Sequence, residues 1–159
     1  MIYISTTFVR DETPIEQALQ LCEKLSLQNI ELGSNHVHEK DYLKIINKYS
    51  NKNFCVHNYF LRPKKDFVVN IASNNIEIRD NSIKHIFKSI DFCEKIGAKL
   101  YTFHPGFLTD PKDENRKNKN YDFLYDNAKI EFINYSNTFD QMIKSIDSIV
   151  NYARQKNVT

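Results

Sequence analysis

Three side chains stand where strand-like runs stop, and each can do chemistry. They are Glu31 in NIELGS (29–34), His57 in NFCVHNYF (53–60) and His104 in KLYTFHPGF (99–107). A neutral imidazole holds a divalent cation or exchanges a proton near neutral pH, and a carboxylate completes a cation shell or orients a hydroxyl. Two histidines at matching strand ends can share one divalent cation. Alternation along a strand supports the pairing. Cys55 and His57 lie opposite Phe54 and Val56, and Leu100, Thr102 and His104 lie opposite Tyr101 and Phe103. The bulky rows suit a helix layer, which turns both histidines to the other face. Pro105 and Gly106 then end the strand and leave the His104 ring accessible. Asn58, directly after His57, joins His57 and His104 as a substrate-binding candidate.

Other polar groups read more blandly. His36 and His38 form an H-x-H in the loop SNHVHEKD, with no matching third ligand, and are taken as solvated loop residues. His85 is read as a surface or packing residue of a helix. Arg62, Lys64 and Lys65 can meet a phosphate but suit an ordinary polar loop. Cys22, Cys55 and Cys93 each fall in an apolar pattern with no C-x-x-C pair, so buried thiols are expected.

The elements that must position these groups alternate. IYISTTF (2–8) reads as a strand. In the helix that follows, Thr13 is a capping candidate, Pro14 suits the first turn and Glu16 closes a capping box. Ile15, Ala18, Leu19, Cys22 and Leu25 form its apolar face. Residues 29–34 are a second strand. Residues 41–50 are a helix, with Tyr42, Ile45, Ile46 and Tyr49 on one side. Residues 53–60 are a third strand, and 61–73 a connection with apolar content. The helix at 81–98 places Ile83, Ile86, Phe87, Ile90 and Cys93 inward and stops at Gly97. Residues 99–104 are a fourth strand. A long polar loop, 108–122, leads to a last helix marked by Phe139, Met142, Ile143, Ile146, Ile149, Val150 and Ala153, and 121–136 can add a helical turn before it.

This order predicts an α/β fold of parallel (β/α) units joined by right-handed crossovers. No Gly-rich phosphate loop follows the first strand, which removes support for a nucleotide-binding doubly wound sheet. A (β/α) barrel needs eight units in about 250 residues. The 159-residue chain reads as a single domain with four of them, and NVT at its end looks like the start of a fifth strand. The expectation is the N-terminal half of a TIM barrel. Four parallel strands alone leave an open edge and an uncovered inner face.

Composition narrows the partners. The net charge of +2, with Lys and Arg interspersed among Asp and Glu, is poor for gripping nucleic acid. PKDENRKNKN (111–120) carries both signs and reads as solvated. No apolar run approaches a membrane span, the first residues lack a signal-peptide pattern, and a cytoplasmic location is expected.

The combination of IELGS, a strand ending in His57, the turn to NIAS, a Ser-initiated helix, IGA and FHPGF resembles the xylose-isomerase-like barrel superfamily. That group includes endonuclease IV and many sugar and sugar-phosphate isomerases and epimerases. The resemblance covers about residues 2–107. It implies that His57 and His104 match two metal-binding histidines of the endonuclease IV branch, and that Glu31 matches an acidic position after the second strand. It further implies a divalent metal (zinc, manganese or magnesium) and proton transfer beside the carbonyl of a small sugar or polyol. Glu31 is then the catalytic candidate. The superfamily's later ligands belong to strands this sequence lacks, so the chain is expected to be incomplete as an enzyme by itself. Where the nuclease branch resembles H-A-P-Y, this chain has HNYFL, which shifts the tyrosine. A zinc-dependent endonuclease acting at abasic sites is therefore the second reading. The third is a non-catalytic half-barrel that needs a partner, either a second copy or another half-barrel chain.

Overall fold

A computed structural model describes residues 1–110, 114–115, 122–123 and 135–159. Four parallel strands form one sheet in the order β1 (Ile4–Ser5), β2 (Asn29–Leu32), β3 (Asn53–His57) and β4 (Tyr101–Thr102). The helices are α1 (Ile15–Lys24), α2 (Tyr42–Asn47), α3 (Ile76–Ile96) and α4 (Tyr135–Gln155). A separate antiparallel pair joins β5 (Glu114–Asn115) to β6 (Asp122–Phe123). β5 lies in the middle of the stretch read as a polar loop, and β6 begins at its last residue. The helical turn read into 121–136 lies largely outside the described residues, and so does most of 111–120. Among the described residues, no helix is long and apolar enough to cross a membrane.

The described residues fall into two compact units. The first comprises Met1–Asp66, His85–His104 and Val150–Thr159, and the second Phe67–Lys84 and Pro105–Ile149.

The first unit holds the four-stranded sheet. One face of the sheet is apolar: Ile30, Leu32, Phe54, Val56 and Tyr101 are buried, as are Ile15, Ala18, Leu19 and Cys22 of α1, Tyr42 and Ile46 of α2, and Ile86, Ile90 and Cys93 of α3. Each large apolar side chain so buried contributes about 1.5–3 kcal/mol. Phe60 fills the space between Tyr42 and Phe92, with ring centroids 4.9 and 5.8 Å away. At the far edge, the Thr159 N–H donates to the Lys99 carbonyl and the Tyr101 N–H donates to the Thr159 carbonyl. Two bonds flanking one residue are the pattern of a parallel neighbour, as the strand-like reading of NVT expects.

Several expected boundaries move for local reasons. β1 stops at Ser5 because the Ser5 hydroxyl accepts the Thr7 N–H and starts a short 3₁₀ turn, Thr6–Phe8. β3 stops at His57 because Asn58 turns left-handed, with φ of 45°. Thr13 does not cap α1; Pro14 occupies the cap with no side-chain bond. α3 begins earlier than its apolar period indicates, because the Asn75 carboxamide accepts from the Glu77 and Ile78 N–H groups. Its buried face is also more polar than expected. Ser82, His85 and Ser89 are buried, while Phe87 is half-exposed and stacks on Tyr152 at 4.2 Å. In α4, Phe139, Ile143 and Val150 stay exposed and Thr138, Ser145, Ile149 and Ala153 are buried.

His36 corrects the solvated-loop reading. It is 1% exposed. Its Nδ1 lies 2.9 Å from the Thr13 carbonyl, which fixes Nδ1–H as the donor and leaves Nε2 to accept from the Thr6 hydroxyl at 2.8 Å. Thr6 Oγ1 in turn accepts the Gly33 N–H. Arg62 donates to the His36 carbonyl and forms a two-bond pair with Asp66. The neutral imidazole thus joins three loops, and Arg62 is occupied in holding them.

In the second unit, buried Asn70 ties two segments together. Its Nδ2 donates to Asp110, its Oδ1 accepts from the Ala72 and Phe107 N–H groups, and its own N–H donates to Ser82 Oγ. Ser73 Oγ adds a 2.6 Å bond to Asp110. Gly106 fits against this knot at φ of 128°, and a Cβ there would lie 2.1 Å from Asn70 Oδ1 and 3.0 Å from Asn70 Cα.

These contacts set the outcome of two measurements. Gly106→Ala meets both a forbidden φ and buried backbone, so it should lower unfolding free energy by about 2–4 kcal/mol in urea titration. Gly97 has φ of 71° but no described atom within 4 Å of a Cβ, so Gly97→Ala should lose only about 1 kcal/mol. Equal losses would contradict the clash at Gly106. The second measurement concerns pH. Burial holds the His36 pKa below its ordinary value, with the Arg62 charge acting the same way and the Thr13 bond opposing. A depressed histidine binds fewer protons folded than unfolded. Its stabilisation is complete above about pH 6.5 and is lost as pH falls toward the folded value. His36→Gln should therefore be about 1–2 kcal/mol less stable at pH 7.5 and lose less on going to pH 5.5 than the parent does. An unchanged slope would contradict the latch.

Candidate functional site

The sheet face opposite the apolar row carries the chemistry. The register pairs Ser5 with Glu31, Glu31 with Cys55, and His57 with Thr102. Parallel pairing keeps paired residues on one face, so these groups form a polar row toward the strand ends. The strand alternation that predicts His57 on this face is what the register delivers.

His57, the last residue of β3, is half-buried. Its Nδ1 lies 2.8 Å from Thr102 Oγ1 on β4. When Nδ1–H donates to that hydroxyl, the Nε2 lone pair is directed away from the contact. A carbonyl, carboxylate or hydroxyl on one nitrogen commonly orients the other toward a cation or substrate. Burial lowers the His57 pKa; the Glu31 carboxylate opposes this and the His104 charge adds to it. Burial thus favours the neutral ring, and His57 lies close enough to Glu31 to feel its charge.

His104 lies two residues beyond β4 and is exposed, as its position before Pro105 indicates. Its ring meets His57 edge to face, with centroids 5.4 Å apart and planes at 88°. The two histidines and Glu31 therefore gather at one end of the sheet.

Asn58 also sits there, in the left-handed conformation that ends β3. Its N–H donates to the Thr102 carbonyl at 2.6 Å and its own carbonyl accepts from the Tyr101 hydroxyl at 2.8 Å.

Other candidates do not join the cluster. His38 is exposed and its Nδ1 donates to the Arg62 carbonyl at 2.7 Å. Lys64 and Lys65 are exposed beside the occupied Arg62. All three thiols are free and buried, and burial pushes Cys55 and Cys93 up to about 12, which removes thiolate chemistry at neutral pH.

The donor set bears on the implied metal. Among the described residues, no group of three or more His, Cys, Asp or Glu side chains is arranged to hold an ion. His57 and His104, with ring centroids 5.4 Å apart, are a pair and not such a group. Thr102, the partner of His57, is not singled out by sequence reasoning, although it shares the face of His104. His85 carries no sequence signal beyond its type, yet it is buried with its ring 5.2 Å from Tyr59.

Comparison with known proteins fits this geometry. The family described as "Xylose isomerase-like TIM barrel" matches residues 11–159. A probable endonuclease 4 of Aquifex aeolicus is 38% identical over 48 residues, 30% of this chain and 17% of that protein. Among solved structures, D-psicose 3-epimerase with D-tagatose from Clostridium cellulolyticum H10 superposes with a TM-score of 0.63 at 13% identity, over 98% of this chain and 49% of that one. The L-ribulose 3-epimerase structure has a TM-score of 0.59 at 9% identity, over 99% of this chain and 47% of that one. A protein from Thermus thermophilus, soaked with zinc chloride, has a TM-score of 0.54 at 14% identity, over 99% of this chain and 52% of that one. The chain thus spans about half the length of these barrels, and its unclosed four-stranded sheet is the corresponding part of the fold. On the match from residue 11 to residue 159, the chain belongs to the xylose isomerase-like TIM barrel family.

Proposed function

We propose that this chain supplies one end of a sugar isomerase or epimerase site, in which a proton is moved beside a carbonyl. The observation that carries the reading is the His57–His104 pair, 5.4 Å apart at the ends of neighbouring strands, with His57 oriented by Thr102. His57 kept neutral offers Nε2 as an acceptor, and exposed His104 offers a second ring nitrogen to the same space. Glu31 orients a substrate hydroxyl and Asn58 binds the sugar beside His57. A divalent cation, zinc, manganese or magnesium, when bound would polarise the carbonyl and hydroxyl oxygens. Because the described residues provide two of its ligands, the remaining ones come from outside them. That need also supports the reading that a partner completes the barrel, either a second copy or another half-barrel chain.

A second reading is favoured by one observation, the 48-residue match to a probable endonuclease 4. The same histidines would then serve cleavage of DNA at abasic sites. The net charge of +2 weighs against it, since a duplex is gripped by clustered Lys and Arg.

Calorimetry with zinc ions tests the shared site. His57→Ala and His104→Ala should each weaken zinc binding at least about tenfold with the far-ultraviolet circular dichroism unchanged. Parent-like affinity in both variants contradicts the site. Ring resonances of His57 and His104 that shift with D-tagatose support the sugar reading. A shift with an abasic-site duplex and none with D-tagatose favours the nuclease.

A further inference from the structure

The reading of the His57 end leaves three buried groups behind it unexplained: His85, Tyr101 and Ser89. All three lie in the first unit. The Tyr101 hydroxyl donates to the Asn58 carbonyl at 2.8 Å. Ser89 Oγ donates to the Phe60 carbonyl at 2.8 Å. Burial keeps His85 uncharged, with its pKa lowered to about 4.

What this cluster holds is an unfavourable conformation. Asn58 is a non-glycine residue at φ of 45°, and its Oδ1 is buried with no hydrogen-bond partner among the described residues. Strained backbone of this kind persists where its surroundings over-determine it, and it concentrates at functional sites. The surroundings here do so. Asn58 N–H is fixed by the Thr102 carbonyl, while Thr102 Oγ1 fixes the His57 ring. The direction in which His57 leaves β3 therefore depends on the turn at Asn58. That turn is held by the Tyr101 hydroxyl, which donates to its carbonyl.

We propose that Tyr101 is a positioning residue that clamps the Asn58 carbonyl, locks the left-handed turn after His57, and so aims the His57 ring. It touches no ligand; it acts through Asn58 and Thr102. The inference rests on the reading that His57 is a ligand-facing residue.

The test uses zinc ions as the probe and Tyr101→Phe as the variant, since it removes one oxygen and keeps the packing. Zinc affinity should fall roughly 10- to 100-fold, the range for groups that orient a ligand. Asn58→Gly placed on Tyr101→Phe should restore most of that loss, because glycine adopts the left-handed turn without help. A merely structural role for Tyr101 would not be rescued at position 58. Unchanged affinity in Tyr101→Phe overturns the clamp, as does a loss that Asn58→Gly leaves in place. Should the parent bind no zinc, the ligand reading fails. The clamp is then judged from the ¹⁵N shifts of the His57 ring. One dominant tautomer in the parent and a mixture in Tyr101→Phe supports it; the same tautomer in both overturns it.

Discussion

The pairing of His57 with Thr102 across β3 and β4 is the constraint on which the rest of the site depends. It is a matter of register. A slip of one residue would turn His57 toward the helix layer and bring Val56, now buried, to the polar face. The apolar row of Ile30, Leu32, Phe54, Val56 and Tyr101 prevents that slip, since their burial is worth several times more than any bond in the site. Packing energy on one face therefore sets chemical geometry on the other. The Thr102 hydroxyl then turns a correctly placed ring into an oriented one.

Polar groups buried elsewhere stabilise the connections that a short parallel sheet needs. His36 joins the turn after β1 to the loops before α1 and after β2, and Arg62 reinforces it from the loop after β3. In the second unit, Asn70 and Asp110 do the same for the segment after β4. Each is satisfied from several sides, as a buried polar group must be. These residues resemble functional candidates by type, but their partners are chiefly backbone and side-chain groups of the fold itself.

Much of this is legible in the sequence. The strand–helix alternation gives the parallel sheet, and period-two patterning puts His57 on the polar face. Gly97 stops α3 as its type requires. What escapes depends on contacts distant in sequence. His36 meets residues 23 and 30 positions away, so its loop context reads as solvated. Ser89 interrupts the apolar period of α3 because the Phe60 carbonyl takes its hydroxyl there. Strand ends shift where a hydroxyl or a left-handed residue competes with the ladder, at Ser5 and Asn58. Propensity does not contain those competitions.

The central claim is that His57 and His104 act as one site. A double-mutant cycle on zinc affinity tests this most directly, with the parent, both single alanine variants and the double variant measured together. If one ion engages both rings, the second substitution removes little that the first has not already removed, leaving a coupling of about 1.4 kcal/mol or more. Strictly additive losses would mean that the rings act independently and would contradict the account.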